Sequence, residues 1–174
     1  MKSEGVFYLG QNAVIKDGVI LGDCVSIGSN TLIESYTIIR NNVFIGEHSE
    51  IRQYCFLAGD ILIGDNVKIF QYSNISKGSI IQDCVYIGPR VLFLNTRKIS
   101  HGRKYTPELK SPVIERGARI GGGAVLTPGI TIGQECMIGA GSVVTKSTEP
   151  FWVYMGNPAR KVKQVPEDEW LLWG

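Results

Sequence analysis

The chain has 174 residues, 44% of them apolar, which suits one domain with a continuous core, and its formal charge of +2 gives no reason to expect nucleic acid as a partner. Its four scattered cysteines include no CxxC pair and read as core filler and tolerated surface thiols rather than as disulfides or metal ligands. No apolar run reaches transmembrane length and no signal peptide precedes Leu9, so the expectation is a cytosolic protein with no membrane partner.

From Leu9 the chain is periodic. Leu9, Ile15, Leu21, Ile27, Ile33 and so on to Phe93 place an apolar residue at every sixth position, and the comb resumes from Ile114 to Val144. A second tooth, four residues on, is small or β-branched: Ala13, Val19, Val25, Thr31, Thr37 and Val43 begin it. These two positions drift around a helical wheel of 3.6 residues per turn, so a helix is excluded. They point inward together only from short strands separated by corners, which is the pattern of a parallel β-helix. The fourth residue of the unit is where the chain turns, and a left-handed backbone is tolerated best there by Gly, Asn or Asp. That position holds Asn12, Gly18, Asn30, Asn42, Asp60, Asn66, Gly78, Gly117, Gly123, Gly129 and Gly141. Three hexads make one coil, so residues eighteen apart stack, as in Leu21, Ile39, Leu57, Ile75 and Phe93. About seven coils at ~4.8 Å spacing give a prism roughly 30 Å tall. Spacing does not fix its hand, since the crossover rule favours right-handed connections.

The comb breaks twice. Phe93 to Ile114 takes twenty-one residues instead of six, after five whole coils. The surplus, residues 94–113, is polar and basic (Arg97, Lys98, Arg103, Lys104, Lys110) and is expected to project from one corner. The second break divides a β-helix of residues 1–150 from a tail of 151–174. In the tail, Pro166 followed by Glu167, Asp168 and Glu169 reads as the first turn of a short helix, leaving Trp170, Leu171 and Trp173 to cover the last coil or a neighbour.

Residues 118–162, the GNPAR segment from Gly156 to Arg160, and the comb itself resemble the hexapeptide-repeat acyltransferases. The resemblance implies an all-β fold, a left-handed parallel β-helix, assembled as a homotrimer with acetyl-CoA as acyl donor in the groove between prisms. Gly88-Pro89-Arg90-Val91-Leu92-Phe93-Leu94-Asn95, just before the insertion, is similar to the stretch found in N-acetyltransferases of nucleotide-linked amino sugars. Phe70-Gln71-Tyr72 departs from the Gln-Asn-Asn often found in that group, and the loop after Asn95 is shorter. The acceptor so implied is a nucleotide sugar of surface polysaccharide or glycan synthesis, with Gln71, Tyr72, Arg90, Arg97 and Arg103 as substrate contacts. The O-acetyltransferases of the same family use a loop histidine as base, and His101 is placed for that role, without the usual Thr-His-Pro context. The family's zinc-dependent relatives need three histidine ligands; this chain has two histidines, so no metal is expected.

Acyl transfer from a thioester needs a nucleophile, a proton sink and donors for the oxyanion. An amine asks little of the sink, and positioning then dominates; a hydroxyl needs a base. Asn95 at the mouth of the insertion suits the first chemistry as an orienting group, or is simply a corner residue. His101 is a base, a substrate contact, or an exposed loop histidine, and His48 occupies a corner. Gly121, Gly122 and Gly123 with Gly139, Ala140 and Gly141 leave a bare wall for a pantetheine arm. Lys146, Arg160, Lys161 and Lys163 fall where the family places the CoA phosphates. The cysteines have no nucleophile motif, which points to direct transfer in a ternary complex. A non-catalytic β-helix serving as an assembly module needs the comb but neither the basic insertion nor the GNPAR tail.

Overall fold

The computed structural model describes residues 7–171. Strands of two or three residues recur every six positions and close a three-sided prism. Face A runs from Tyr8–Leu9 to Thr131–Ile132, face B from Val14–Ile15 to Met137–Ile138, and face C from Ile20–Leu21 to Val143–Val144, with seven parallel coil strands on each. The number of coils is the expected one, and the fold is a left-handed parallel β-helix.

Register follows the comb. Ile39 pairs with Leu21 on one side and Leu57 on the other, and Phe93 pairs with Leu126 across the insertion. The teeth from Ile27 to Ile75 are completely buried or nearly so, and each such aliphatic side chain contributes about 1.5–3 kcal/mol on removal from water. Polar second teeth are paired off inside: Thr31 Oγ1 donates to the Gly46 carbonyl at 2.8 Å, Ser49 Oγ to Gly64 at 3.1 Å and Ser73 Oγ to Gly88 at 3.0 Å. Without those bonds, each buried hydroxyl would cost about 1–3 kcal/mol.

All eleven residues expected at left-handed corners have φ between 50° and 83°. Larger residues share the conformation, among them Tyr36, Tyr54, Tyr72 and Arg90 on corner BC and His48 on corner AB. The three tyrosines, eighteen residues apart, stack with centroids 5.3 and 5.2 Å apart, and the Arg90 guanidinium lies 5.9 Å from the Tyr72 ring. Stacking of this kind, about 0.5–1.5 kcal/mol per pair, offsets part of a left-handed cost of roughly 1–2 kcal/mol per residue.

The tail is more ordered than a loose extension. Trp152–Gly156 adds an eighth parallel strand to face B beside Met137–Ile138, and Ala159–Gln164 returns antiparallel, so GNPAR forms the tip of a hairpin. Glu167–Glu169 is a single turn of 3-10 helix after Pro166. Trp170 then packs on Phe151 with centroids 4.6 Å apart, while Leu171 borders Cys84, Val85 and Tyr86. The end of the tail therefore runs back down the chain's own side instead of covering the last coil, held by Arg119–Glu169 at 2.9 Å; Trp173 lies outside the described residues.

Candidate active site on two corners of the prism

The insertion leaves from corner CA and folds on itself. Thr96–Lys98 pairs antiparallel with Glu108–Leu109, Arg97 meets Glu108 at 3.4 Å, and the Lys98 ammonium sits 4.0 Å from the Tyr105 ring centroid. Nearly all its side chains are exposed, so it is an arm that projects, as its composition predicts.

Asn95 stands at the root of this arm. Its Nδ2 donates to the Lys77 carbonyl at 3.3 Å, its Oδ1 accepts from Thr96 at 3.4 Å, and Ser111 Oγ also donates to the Lys77 carbonyl. Beside it lies a cavity of about 370 Å³ lined by Asn74, Lys77, Leu92, Asn95, Thr96 and Ile99 among others, with no histidine or carboxylate in its wall. His101 is at the exposed tip of the arm, where its carbonyl accepts from Arg103 at 2.8 Å, and does not line the cavity. Ala58 and Lys77 are shared with a second cavity of about 250 Å³ further down the corner, lined by Arg40, Asn41, Asn42, Gly59 and Asp60. Lys77 pairs with Asp60 at 3.0 Å, and that carboxyl is held below its usual range by the Asn42 amide and by Lys77. Nothing in the sequence pattern singles out Arg40 or Lys77. Lys77 lies one eighteen-residue period before Asn95, so the spacing stacks it there, whereas Arg40, fifty-five residues before Asn95, comes beneath it only through the coil geometry.

Corner BC carries the other candidates in consecutive coils: Gln71 and Tyr72, then Arg90, then Gly121–Gly123, then Gly139–Gly141. The bare wall has a structural cause as well. A Cβ on Gly121 would meet Ala140 N at 2.5 Å, and one on Gly122 would touch the Pro89 ring at 3.1 Å, so close stacking of coils already demands these glycines. Corner geometry thus accounts for more of this wall than the periodicity implies.

The basic group near the C-terminus is dispersed. Lys146 lies on corner CA, whereas Arg160 and Lys161 are on the returning strand of the hairpin over face B. Lys161 is already engaged, 2.6 Å from Glu149 and 3.7 Å from the Trp152 ring centroid. The substrate candidates are split too: Gln71, Tyr72 and Arg90 are on corner BC, while Arg97 and Arg103 are on the arm.

Three of the four thiols are held as weak nucleophiles. Burial pushes Cys55 up to about 11 and raises Cys136 and Cys84 as well. In native protein near neutral pH, Cys24, which is exposed, should react with a disulfide reagent quickly and Cys84 slowly. Cys55 and Cys136 should appear only after unfolding; four fast thiols in the native state would contradict this packing. Among the described residues there is no cluster of three or more His, Cys, Asp or Glu that would hold a metal, and no helix long and apolar enough to cross a membrane.

A seven-coil parallel β-helix with one projecting arm and a bare corner defines a hexapeptide-repeat protein. Residues 3–106 match the family model described as the GMPPB C-terminal domain, and residues 111–146 match the bacterial transferase hexapeptide (six repeats). The first match spans more than half of the chain, which therefore belongs to the family of the GMPPB C-terminal domain, and residues 111–146 add the likeness to the bacterial hexapeptide transferases. It is 46% identical over 57 residues to a chloramphenicol acetyltransferase of Klebsiella aerogenes, covering 33% of this chain and 27% of that one. It is 38% identical over 88 residues to the galactoside O-acetyltransferase of Escherichia coli, covering 49% and 43%. The matches thus span less than half the length of these curated relatives. Among solved structures, it is similar to a hexapeptide-repeat acetyltransferase of Vibrio cholerae complexed with acetyl-CoA, with TM-score 0.61, 24% identity and coverage of 86% and 72%. It is also similar to a mutant of AntD, an N-acyltransferase from Bacillus cereus in complex with dTDP-4-amino-4,6-dideoxyglucose and CoA, with TM-score 0.63, 22% identity and coverage of 96% and 88%.

Proposed function

We propose that this protein is an acyltransferase that moves an acetyl group from acetyl-CoA to the amine of a nucleotide-linked amino sugar, in the cytoplasm, for surface polysaccharide or glycan synthesis. The observation that carries this reading is the cavity at Asn95: it presents an amide, and no histidine or carboxylate lines it. Such a site can position a nucleophile that is already partly neutral near pH 7, and within one chain it offers no histidine or carboxylate to deprotonate a hydroxyl. The bound dTDP-amino sugar and CoA of AntD support the acceptor and donor classes.

In this reaction the amine lone pair attacks the thioester carbonyl and a C–N bond forms as the carbonyl becomes an oxyanion. Collapse breaks the C–S bond, and the departing CoA thiolate takes up the proton released by nitrogen. Asn95 orients the acceptor. No acyl-enzyme is required, in keeping with the raised thiols.

A complete site needs a second copy. Asn95 and the bare wall lie on different corners of one prism, and corners of a closed prism point away from each other. Apolar side chains on the outer surfaces beside the arm, Phe44, Leu62 and Ile80 on face A and Ile20 and Leu92 on face C, are exposed in the single chain. We therefore infer a homotrimer in which each arm reaches the bare corner of its neighbour. Light scattering should give three times 19.1 kDa, about 57 kDa. A monomer at micromolar concentration, or an arm lying flat on its own corner, would contradict the assembly.

Mass-spectrometric assay with acetyl-CoA and UDP- or dTDP-linked amino sugars tests the activity: acetylated product is expected on the amine and none on sugars lacking it. The galactoside O-acetyltransferase relative favours a second reading, sugar O-acetylation with His101 as base. His101 is exposed at the tip of the arm, so in that reading it would serve a neighbour's substrate.

A further inference from the structure

We infer that the polar trough below Asn95 on corner CA, flanked by Arg40 and Lys77, binds the diphosphate of the acceptor. This rests on the nucleotide-sugar reading above and places the charged half of that substrate. The two cavities share Ala58 and Lys77 in their walls, so they adjoin along the corner, and a ligand whose reacting end lies at Asn95 would extend toward the lower one. They differ in character: the upper includes Leu92, Phe93, Leu94 and Ile99, whereas the lower is walled by Arg40, Asn41, Asn42, Asp60 and Lys77.

Charge in the lower part favours an anion. Lys77 has one carboxylate partner, Asp60, and the Arg40 guanidinium makes no hydrogen bond or ion pair within the described residues. Two cations against one anion leave an excess of +1 in a concave site. Ala58 and Gly59 keep its floor low, and Gly59 is fixed by φ of 99° and by the Asn41 carbonyl, which a Cβ would meet at 2.9 Å. Asn41 and Asn42 add neutral groups suited to hydroxyls or to a base edge.

Spacing agrees. Successive coils are ~4.8 Å apart. Lys77 lies one coil below Asn95, within reach of the first group past a sugar ring, and the long Arg40 side chain rises from two coils lower still. The arginines suggested by sequence are less well placed to hold phosphate here. Arg97 is held by Glu108, Arg103 turns back on the His101 carbonyl, and Arg90 stacks on Tyr72 at the other corner. Arg40 and Lys77 are both exposed, so their replacement should not disturb folding.

CoA also carries a diphosphate, and the test separates the two sources. Calorimetric titration of UDP, dTDP and acetyl-CoA is made into wild type, Arg40→Ala, Lys77→Ala and, as a charge-matched control on face B, Lys68→Ala. The expected result is that Arg40→Ala and Lys77→Ala each weaken UDP or dTDP about tenfold, as loss of a charge-assisted bond does. Acetyl-CoA should shift less than twofold, and Lys68→Ala should change nothing. Nucleotide affinity that is present and untouched by both variants overturns the trough and leaves the acetyl-transfer reading standing. A loss confined to acetyl-CoA overturns it by assigning the trough to the donor. Failure of wild type to bind either nucleotide at millimolar concentration removes the nucleotide-sugar reading and this inference with it.

Discussion

Asn95→Ala is expected to lower turnover of an amino-sugar acceptor about 100-fold, while His101→Ala lowers it less than tenfold. Removal of one polar group aimed at a reacting centre costs about 10²–10³ in rate, and Asn95 lines the cavity at the root of the arm. His101, on the arm tip, does not line that cavity, so its removal touches the reaction only through a neighbouring copy. The pH profile adds a second criterion: an amine acceptor becomes more reactive from pH 7 to pH 9 in wild type and in His101→Ala alike. If His101→Ala instead abolishes turnover with acceptor affinity intact, and wild type prefers a plain hydroxyl, the chemistry is O-acetylation.

Ile69→Asp should cost at least about 5 kcal/mol, combining the lost burial of an aliphatic chain with the desolvation of an unpaired carboxyl. Ile69 is completely buried and stacked between Ile51 and Ile87, with no polar side chain in that ladder to receive it. For a chain of this size the corresponding fall in melting temperature is about 10–20 °C, enough that little folded protein is expected. Ile69→Val, which removes one methyl, should cost only about 0.5–1.5 kcal/mol. Lys68→Ala, one residue away but outward, should stay within about 0.5 kcal/mol. Thermal melts of the three variants check this; an Ile69→Asp protein as stable as wild type would mean that the comb does not face inward.

The contrast between adjacent residues explains why the prism is legible in the chain itself. In a β-helix, facing residues are fixed by a short local period, so Leu21, Ile39 and Leu57 announce their stacking by being eighteen apart. The left-handed corners are readable for the same reason wherever Gly, Asn or Asp sits there. Tyr36, Tyr54 and Tyr72 escape that rule because their conformation is supported by stacking on one another, a tertiary effect, although their equal spacing carries the signal. The hairpin that adds Trp152–Gly156 to face B is also hidden, since its strands break the hexad and pair through a turn at GNPAR.

Sequence alone determined the all-β coil, its seven turns, the place and projection of the arm, and Asn95 at its root, because each depends on chemistry repeated or interrupted along the chain. Tertiary structure decided which corner each functional candidate occupies. It set Gln71, Tyr72 and Arg90 in line with the glycine wall, separated Lys146 from Arg160, made Gly121 a requirement of coil contact, and brought Arg40 into one trough with Lys77 beneath Asn95. The physical reason is the winding. Every third hexad returns to the same corner, so residues distant in the chain become neighbours along the prism axis, while residues one hexad apart are sent to different sides.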